Sequence, residues 1–415
     1  MSKTKPAKAT QQIELRGHII DSQILSRVWS AIMQANADFD LLEIQVGRNA
    51  QETSYARMNV IAASRKELEA LLDNLEQLGV ELVNAQNARC APIEMDGVLP
   101  DDFYATTNLP TEVLVNGVWL NVENIEMDVA IIIDAAVPRA YCLPMHKTQI
   151  GQQVVVGHQG VRVHPLELPR PSAEHFSFMQ SSVSSERAKS LMIADIADEI
   201  ADIYKQHGKI GLVLGPAVVH TGARKYIEEL INMGHVQAIF AGNAVAAHDC
   251  EAALFGTSLG VDLQTGDPVQ DGHRNHLRAI NTIRRYGSLQ AAVDAGILRD
   301  GIMKASVLHH VDLALAGSIR DDGPIPDVLT DMYAAQDRMR SVLQNINMVI
   351  MLASMLHSIA TGNMLPASTK AVVVDINPAV VTKLADRGTT HAAGLVTDVE
   401  LFLRELVENL KAKRL

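Results

Sequence analysis

The chain has 415 residues, a formal net charge of −12 at pH 7, 47% hydrophobic residues and 20% charged ones. That length is enough for more than one domain with its own core, and the acidic balance, with no Lys/Arg cluster interleaved with aromatics, argues against a nucleic-acid surface. No apolar run is long enough to span a bilayer, and the basic N-terminal stretch MSKTKPAKATQQ lacks the apolar core of a signal peptide.

Cys90, Cys142 and Cys250 are far apart, with no CxxC and no zinc-ligand spacing. They read as buried thiols in a reducing cytoplasm, and no metal site is expected.

Residues 11–98 alternate between the two main periodicities. IELRGHII is a strand, SQILSRVWSAIMQAN a helix, and FDLLEIQVG and YARMNVIAAS are strands. SRKELEALLDNLEQLG is a helix, opened by Ser64 and Glu67 in a capping-box pattern, and VELVNAQNARCAPI is a final extended run. The order βαββαβ is ferredoxin-like. Such a module can dimerise or bind a regulator, and fold alone assigns neither role. Residues 99–170 are strand-rich, with turn signals at Asn116-Gly117, Gly151 and Gly157, and form a small β unit. LELPRPSAEHF (166–176) is the expected linker. Residues 171–415 then form an α/β domain that opens with a capped amphipathic helix in SSVSSERAKSLMIADIADEIADIYKQHG.

Within that domain, GKIGLVLGPAVVHTGARKYIEELINMG (208–234) reads as strand, loop bounded by Gly215 and Gly222, then helix. HVQAIFAGNAVAAHDCEAALFG (235–256) repeats the scheme, with Gly242, Asn243 and Ala244 at the turn. Such loops can aim backbone N–H groups at a phosphate, or simply be tight turns. Neither GxGxxG nor GxxxxGK[ST] is present. Four more apolar runs follow: DLALAGS (312–318), INMVIMLAS (346–354), AVVVDI (371–376) and GLVT (394–397). Unbroken apolar runs separated by helices are parallel strands buried on both faces, which predicts a Rossmann-like sheet.

Ligands of such sheets bind at the carboxyl ends of the strands. Here those ends carry Arg320, Asp321, Asp322, His357, Asn363, Asp375, Asn377 and Asp398. Asp375, at the tip of a Val-rich strand, stands where dinucleotide folds hold the adenosine ribose. Asn377 followed by Pro378 is an N-cap with proline at the first helical position. Asp398 is either a ligand residue or the N-cap of a helix over 399–412.

GPAVVHTG, AGNAVAAHD, LFGTSLGVDL, AGSIRDDGPIPDV, MLHSIATGNMLP and VVVDINPAVVTKL together resemble the NAD-dependent ornithine cyclodeaminases of archaea. The same unit forms the C-terminal part of cyanobacterial arginine-degrading enzymes and falls under a conserved region named for lysine-oxoglutarate reductase/saccharopine dehydrogenase. The resemblance runs from Ile13 to Leu410, and the arginine dihydrolase part of the cyanobacterial fusions has no counterpart here. It implies a tightly held NAD in a fold similar to the deoxyhypusine-synthase type. The implied NAD contacts are Asn243, Ala244, Asp322, Ser354, Met355, Leu356, His357, Asp375, Asp398 and Val399. A homo-oligomer, dimer or tetramer, is expected. One departure stands out: Lys304 replaces an expected aromatic residue in the stretch 301–312, read as a loop, so the amino acid accepted could differ from ornithine.

The implied reaction needs a cation for the substrate carboxylate and an acid–base group near neutral pKa. Arg320 suits the carboxylate, unless it only pairs with Asp321, Asp322 or Asp327. Asp321 is a candidate base or partner of the δ-ammonium, and His220 a second acid–base candidate. His273 and His276 lack a third metal ligand and read as a capped helix start. An opine- or saccharopine-type oxidoreductase would need the same groups but would release NADH. A non-catalytic nucleotide-binding regulator would need fewer polar groups at the strand ends.

Overall fold

The structure, a computed structural model, describes residues 8–20, 22–48, 52–76, 78–83, 86–134, 136–164, 189–263, 265–269, 272–321, 323–385 and 392–413. The expected linker at 166–176, the opening of the helix that follows it and Asp322 lie outside the described residues. The chain divides into two compact units, Met1–His175 and Phe176–Leu415.

The first unit opens with β1 (Ala9–Gly17), α1 (Ile24–Gln34), β2 (Asp38–Gln45), β3 (Ser54–Ala62), α2 (Arg65–Glu76) and β4 (Glu81–Leu82). Their sheet has the order β2-β3-β1-β4 with every pair antiparallel, the ferredoxin-like arrangement. Alternation explains the core: Ile13 and Leu15 from β1 and Ala56, Met58 and Val60 from β3 face Val28 and Ile32 of α1 and Leu71 and Leu75 of α2. The backbone N–H of Glu67 donates to Ser64 Oγ (3.3 Å), as the capping pattern predicts. The expected run over 80–93 is not one strand. Only Glu81–Leu82 joins this sheet, while β5 (Arg89–Pro92) pairs with the strand Gln153–Val156 of the next.

That second sheet holds β5, β6 (Thr111–Val115), β7 (Val118–Glu123), β8 (Ala130–Asp134), β9 (Arg139–Leu143), β10 (Gln153–Val156) and β11 (Val161–Val163). Its order is β11-β6-β7-β9-β8-β10-β5. Asn116 (φ 51°) and Gly117 (φ 80°) make the two-residue turn between β6 and β7, the geometry that an Asn-Gly pair favours.

The second unit runs α3 (Lys189–Lys205), β12 (Lys209–Leu214), α4 (Ala217–His220), α5 (Arg224–Asn232), β13 (Ala238–Gly242), α6 (Asn243–Phe255), β14 (Thr257–Ser258) and β15 (Val261–Asp262). It continues with α7 (Asn275–Tyr286), α8 (Leu289–Asp294), α9 (Ile302–Leu308), β16 (Asp312–Ala316), α10 (Met332–Leu343), β17 (Ile346–Leu352) and α11 (Leu356–Met364). It ends with β18 (Lys370–Asp375), α12 (Pro378–Ala385), β19 (Ala392–Val396) and α13 (Val399–Ala412). Six strands form one parallel sheet in the order β16-β13-β12-β17-β18-β19.

The sheet is covered on both faces, as its unbroken apolar runs require. Leu212, Leu214, Ile350 and Val374 pack with Ile196 of α3, Ile227 of α5 and Phe402 of α13. Their neighbours Val213, Met351 and Val373 point the other way, to Met339 of α10 and Val381 of α12. No helix among the described residues is long and apolar enough to cross a membrane.

Candidate active site

Numbered by occurrence, the six parallel strands lie in the order 3-2-1-4-5-6, so the direction in which successive strands are added across the sheet reverses between β12 and β17. Strand order switches there, and the connections leave in opposite directions, opening a crevice at the carboxyl ends where dinucleotides bind. Gly215 closes the end of β12. A β-carbon there would overlap the carbonyl of Ala353, so only glycine lets the two strand ends meet. Ala353 itself takes a left-handed conformation, φ 48°. Of the two readings of the Gly215–Gly222 loop, the local geometry fits the tight turn: the N–H of Gly215 donates to Leu352 O (2.9 Å), and α4 occupies the loop up to Gly222.

On the β17 side, Ser354 and Met355 lead into α11, and no side chain caps that helix at Met355. Its first N–H groups and its dipole are therefore available for an anion at the crevice. Leu356 and Met355 are exposed there, as are Ile319 and Ile376 at the ends of β16 and β18. Asp375 ends β18, and its Oδ1 accepts from Asn377 N (2.8 Å), while Asn377 Oδ1 accepts from Ala379 N (3.0 Å). The local capping expected of Asn377 is present, and Asp375 commits one oxygen to the turn. Asp398 Oδ1 accepts from Glu400 N and Leu401 N, so it caps α13. Val399 is 4% exposed, with its side chain in the core, and can meet a ligand only through its backbone. Asn363 falls near the far end of α11, away from the strand ends.

His357 reaches from α11 toward the end of β13, where its Nε2 would stand 3.0 Å from a β-carbon on Gly242. Burial pushes its pKa down, opposed by the carboxylate of Asp321. Asp321 in turn accepts from Ser318 N (2.7 Å) and Ser318 Oγ (3.3 Å), so its carboxylate shapes the loop after β16. Arg320 is exposed beside it, its N–H donating to Ser318 Oγ (3.1 Å). Asn243, buried at the start of α6, accepts from Ile325 N (3.1 Å) and holds the far end of the same loop, with Ala244 half-buried next to it. These residues thus stand at or just beyond the ends of β13, β16, β17, β18 and β19.

His220 ends α4 and stands in a cluster that sequence reasoning saw only in part. Its Nδ1 lies 2.5 Å from Ser258 Oγ, and its ring meets that of His248 edge-on, centroids 4.9 Å apart. His248 Nδ1 lies 3.1 Å from Glu251 Oε2. Glu251 also accepts from Thr257 Oγ1 (2.9 Å), Leu259 N (3.2 Å) and Gly260 N (3.1 Å). Burial would raise the Glu251 carboxyl, yet the hydrogen bonds from His248, Gly260 and Thr257 hold it below the usual carboxylate range. The signal available in the sequence was the i, i+3 spacing of His248 and Glu251, which puts both on one helix face.

Two expectations need correcting. The stretch 301–312 is not a loop: Lys304 sits on α9, whose first N–H groups, Ile302 and Met303, donate to the buried carboxylate of Asp249. Helix α7 does begin after His273, at Asn275, but its N-cap residue Arg274 makes no side-chain cap. No group of three or more metal-ligating side chains occurs among the described residues.

Residues 194–406 match the family described as arginine dihydrolase ArgZ-like, C-terminal, Rossmann fold. Residues 110–193 match the first region of the same C-terminal part, and residues 10–109 the LOR/SDH bifunctional enzyme conserved region. The chain belongs to the ArgZ-like C-terminal family. An ornithine cyclodeaminase of Methanopyrus kandleri is 51% identical over 97% of this chain and 97% of its own length. The crystal structure of cyanobacterial ArgZ, an arginine dihydrolase, superposes with a TM-score of 0.85 at 38% identity, covering 98% of this chain and 59% of that one. The ternary complex of AgrE with ornithine and NAD+ matches at 41% identity and a TM-score of 0.54, over 98% of this chain and 58% of that one. The archaeal resemblance drawn from the motifs is thereby established. The ArgZ-like Rossmann fold accounts for the parallel sheet.

Proposed function

We propose that this chain is an NAD-dependent ornithine cyclodeaminase, converting L-ornithine to L-proline and ammonia. The observation that carries the reading is the crevice between β12 and β17, flanked by the uncapped start of α11 and by Asp375, in a chain 51% identical to an ornithine cyclodeaminase over almost its whole length. These residues fit NAD. The start of α11 at Ser354–His357 suits the pyrophosphate, Asp375 the adenosine ribose, and the Asp398–Val399 turn the adenine side. Asn243 and Ala244 suit the opposite half of the cofactor. Bound NAD supplies a hydride acceptor that returns the same hydride, so the reaction is redox-neutral overall.

The chain's own residues supply the rest. Arg320 is the residue we assign to the substrate carboxylate. The proton of the α-ammonium goes to His220, whose pKa is pushed down chiefly by burial, so that the ring stands unprotonated and able to accept it. Asp321 is the weaker base candidate, because its carboxylate is engaged by Ser318. It remains close enough to the crevice to pair with the δ-ammonium. We also read the protein as a cytoplasmic homo-oligomer: its cysteines are free, Cys142 and Cys250 buried as expected and Cys90 exposed against that expectation, and edge strand β2 exposes Leu41, Leu42 and Ile44, as an unpaired edge seeking a partner would.

The test is to purify the protein without added nucleotide, denature a portion, and assay the released dinucleotide by chromatography. The intact remainder is given L-ornithine while proline, ammonia and NADH absorbance are followed together. Bound NAD and equal yields of proline and ammonia are expected, and neither NAD nor proline would remove the reading.

A further inference from the structure

The reading above gives His220 a proton to take, and it must also give one back. Ornithine enters with two ammonium groups. Each nitrogen loses one proton before reacting: the α-amine before its carbon gives up hydride, the δ-amine before it attacks that carbon. Two protons then return, one to the departing ammonia and one to the ring nitrogen of proline. A base serving this cycle needs a pKa near neutrality in both directions. Burial alone does not achieve that, because it only drives an imidazole toward the neutral form.

The cluster behind His220 holds the missing charge. Glu251 has a fully buried side chain that accepts four hydrogen bonds, one from His248 and three from the Thr257–Gly260 turn. Asn275 Nδ2 donates to Thr257 Oγ1 (3.0 Å), so the threonine proton is left for Glu251. An ionised carboxylate only accepts, which fixes His248 as the Nδ1–H tautomer. The ring of His248 then braces His220 edge-on, and Ser258 holds His220 Nδ1 from another side. Among the described residues, α7 adds two titratable or charged groups near the cluster: His276, whose ring centroid is 6.3 Å from that of His248, and Arg278, which is held by Asn275 Oδ1 and the Phe255 ring.

We propose that Glu251 and His248 are a positioning pair that tunes His220 as the proton-transfer group of the cyclodeaminase reaction. This rests on the function proposed above. The buried carboxylate favours the imidazolium that forms on His220, while the ordered His248 ring fixes its orientation. Neither residue touches substrate, so each acts through His220.

The experiment uses NAD-loaded full-length protein and Glu251→Gln, which keeps the shape and removes the charge. The variant should bind NAD normally and keep its KM for ornithine. Its kcat should fall about 10- to 100-fold, less than the ~10²–10⁴-fold a proton-transfer group contributes directly. The acid limb of its kcat–pH profile should move to lower pH, because His220 loses the charge that favours its proton. A folded, NAD-loaded Glu251→Gln with unchanged kcat and acid limb overturns the proposal. If that variant does not fold, His248→Asn, which can still donate to Glu251, is read by kcat against KM in the same way. If the wild type leaves ornithine untouched, the functional reading fails instead. The titration of His220 followed by NMR in histidine-labelled wild type and Glu251→Gln then decides alone: a lower midpoint in the variant supports the pair, and an unmoved midpoint overturns it.

Discussion

The imidazole of His357 lies against Gly242, with its Nε2 3.0 Å from where a β-carbon on residue 242 would be. The contact ties the start of α11 to the end of β13 across β12, and so links the two halves of the crevice. Gly242 has an ordinary φ of −93°, so its glycine is needed for space and not for backbone freedom. Gly242→Ala should force the imidazole off its place, costing about 1–3 kcal/mol as overpacking does. It should weaken NAD binding more than it lowers thermal stability, because the displaced ring belongs to the crevice. Titrating NAD into the stripped variant and measuring its melting temperature separate the two. A loss of stability with unchanged NAD affinity would mean that His357 is only a packing residue.

Asp375 accepts from Asn377 N with one carboxylate oxygen, and the proposal assigns the other to a ribose hydroxyl. Asp375→Ala should therefore weaken NAD binding by about 1–3 kcal/mol, the scale of a hydrogen bond to a charged group. The parent protein should prefer NAD to NADP, whose 2′-phosphate would meet the carboxylate, and the variant should lose much of that preference. Calorimetric titration of both cofactors checks this. Equal affinities in parent and variant would leave Asp375 as a turn residue.

His235 is 2% exposed, and neither ring nitrogen has a hydrogen-bond partner; the ring meets Tyr204 edge-on, centroids 4.8 Å apart. Burial pushes its pKa below the ordinary 6.5. The unfolded chain therefore takes up the proton first as pH falls. The stability contributed by the neutral ring is complete above pH 6.5 and is lost as pH drops from there through the folded-state pKa. His235→Phe keeps the ring contact and removes the titration. Denaturant midpoints measured across that range should fall for the parent and stay flatter for the variant. Parallel curves would exclude His235 as the cause.

The six parallel strands were legible because each is buried on both faces and reads as an unbroken apolar run. Their order in space was not legible, since nothing local in INMVIMLAS says that it lies beside GLVLG and not beside the strand preceding it. The crevice therefore emerged only when β12 and β17 were seen to be neighbours. Asp398 was readable as a cap because capping is local, and its carboxylate does bond the first N–H groups of α13. His220 stood out by residue type, but Ser258 and Glu251 reach it through contacts far along the chain that no periodicity encodes. Lys304 was misplaced for a related reason. Asp249 supplies an N-terminal cap for α9 from a distant helix, where a sequence reader looks for a neighbouring Ser or Asp.

The central claim is that one bound cofactor takes the hydride from Cα of ornithine and returns it to the same carbon. Ornithine deuterated at Cα, given to protein with only a trace of NAD, tests it most directly. The account predicts many turnovers, no lasting NADH absorbance, and proline that retains the deuterium at Cα by mass spectrometry. NADH accumulating in step with ornithine consumed, with the label carried away on the free cofactor, would contradict it and point to a net oxidoreductase.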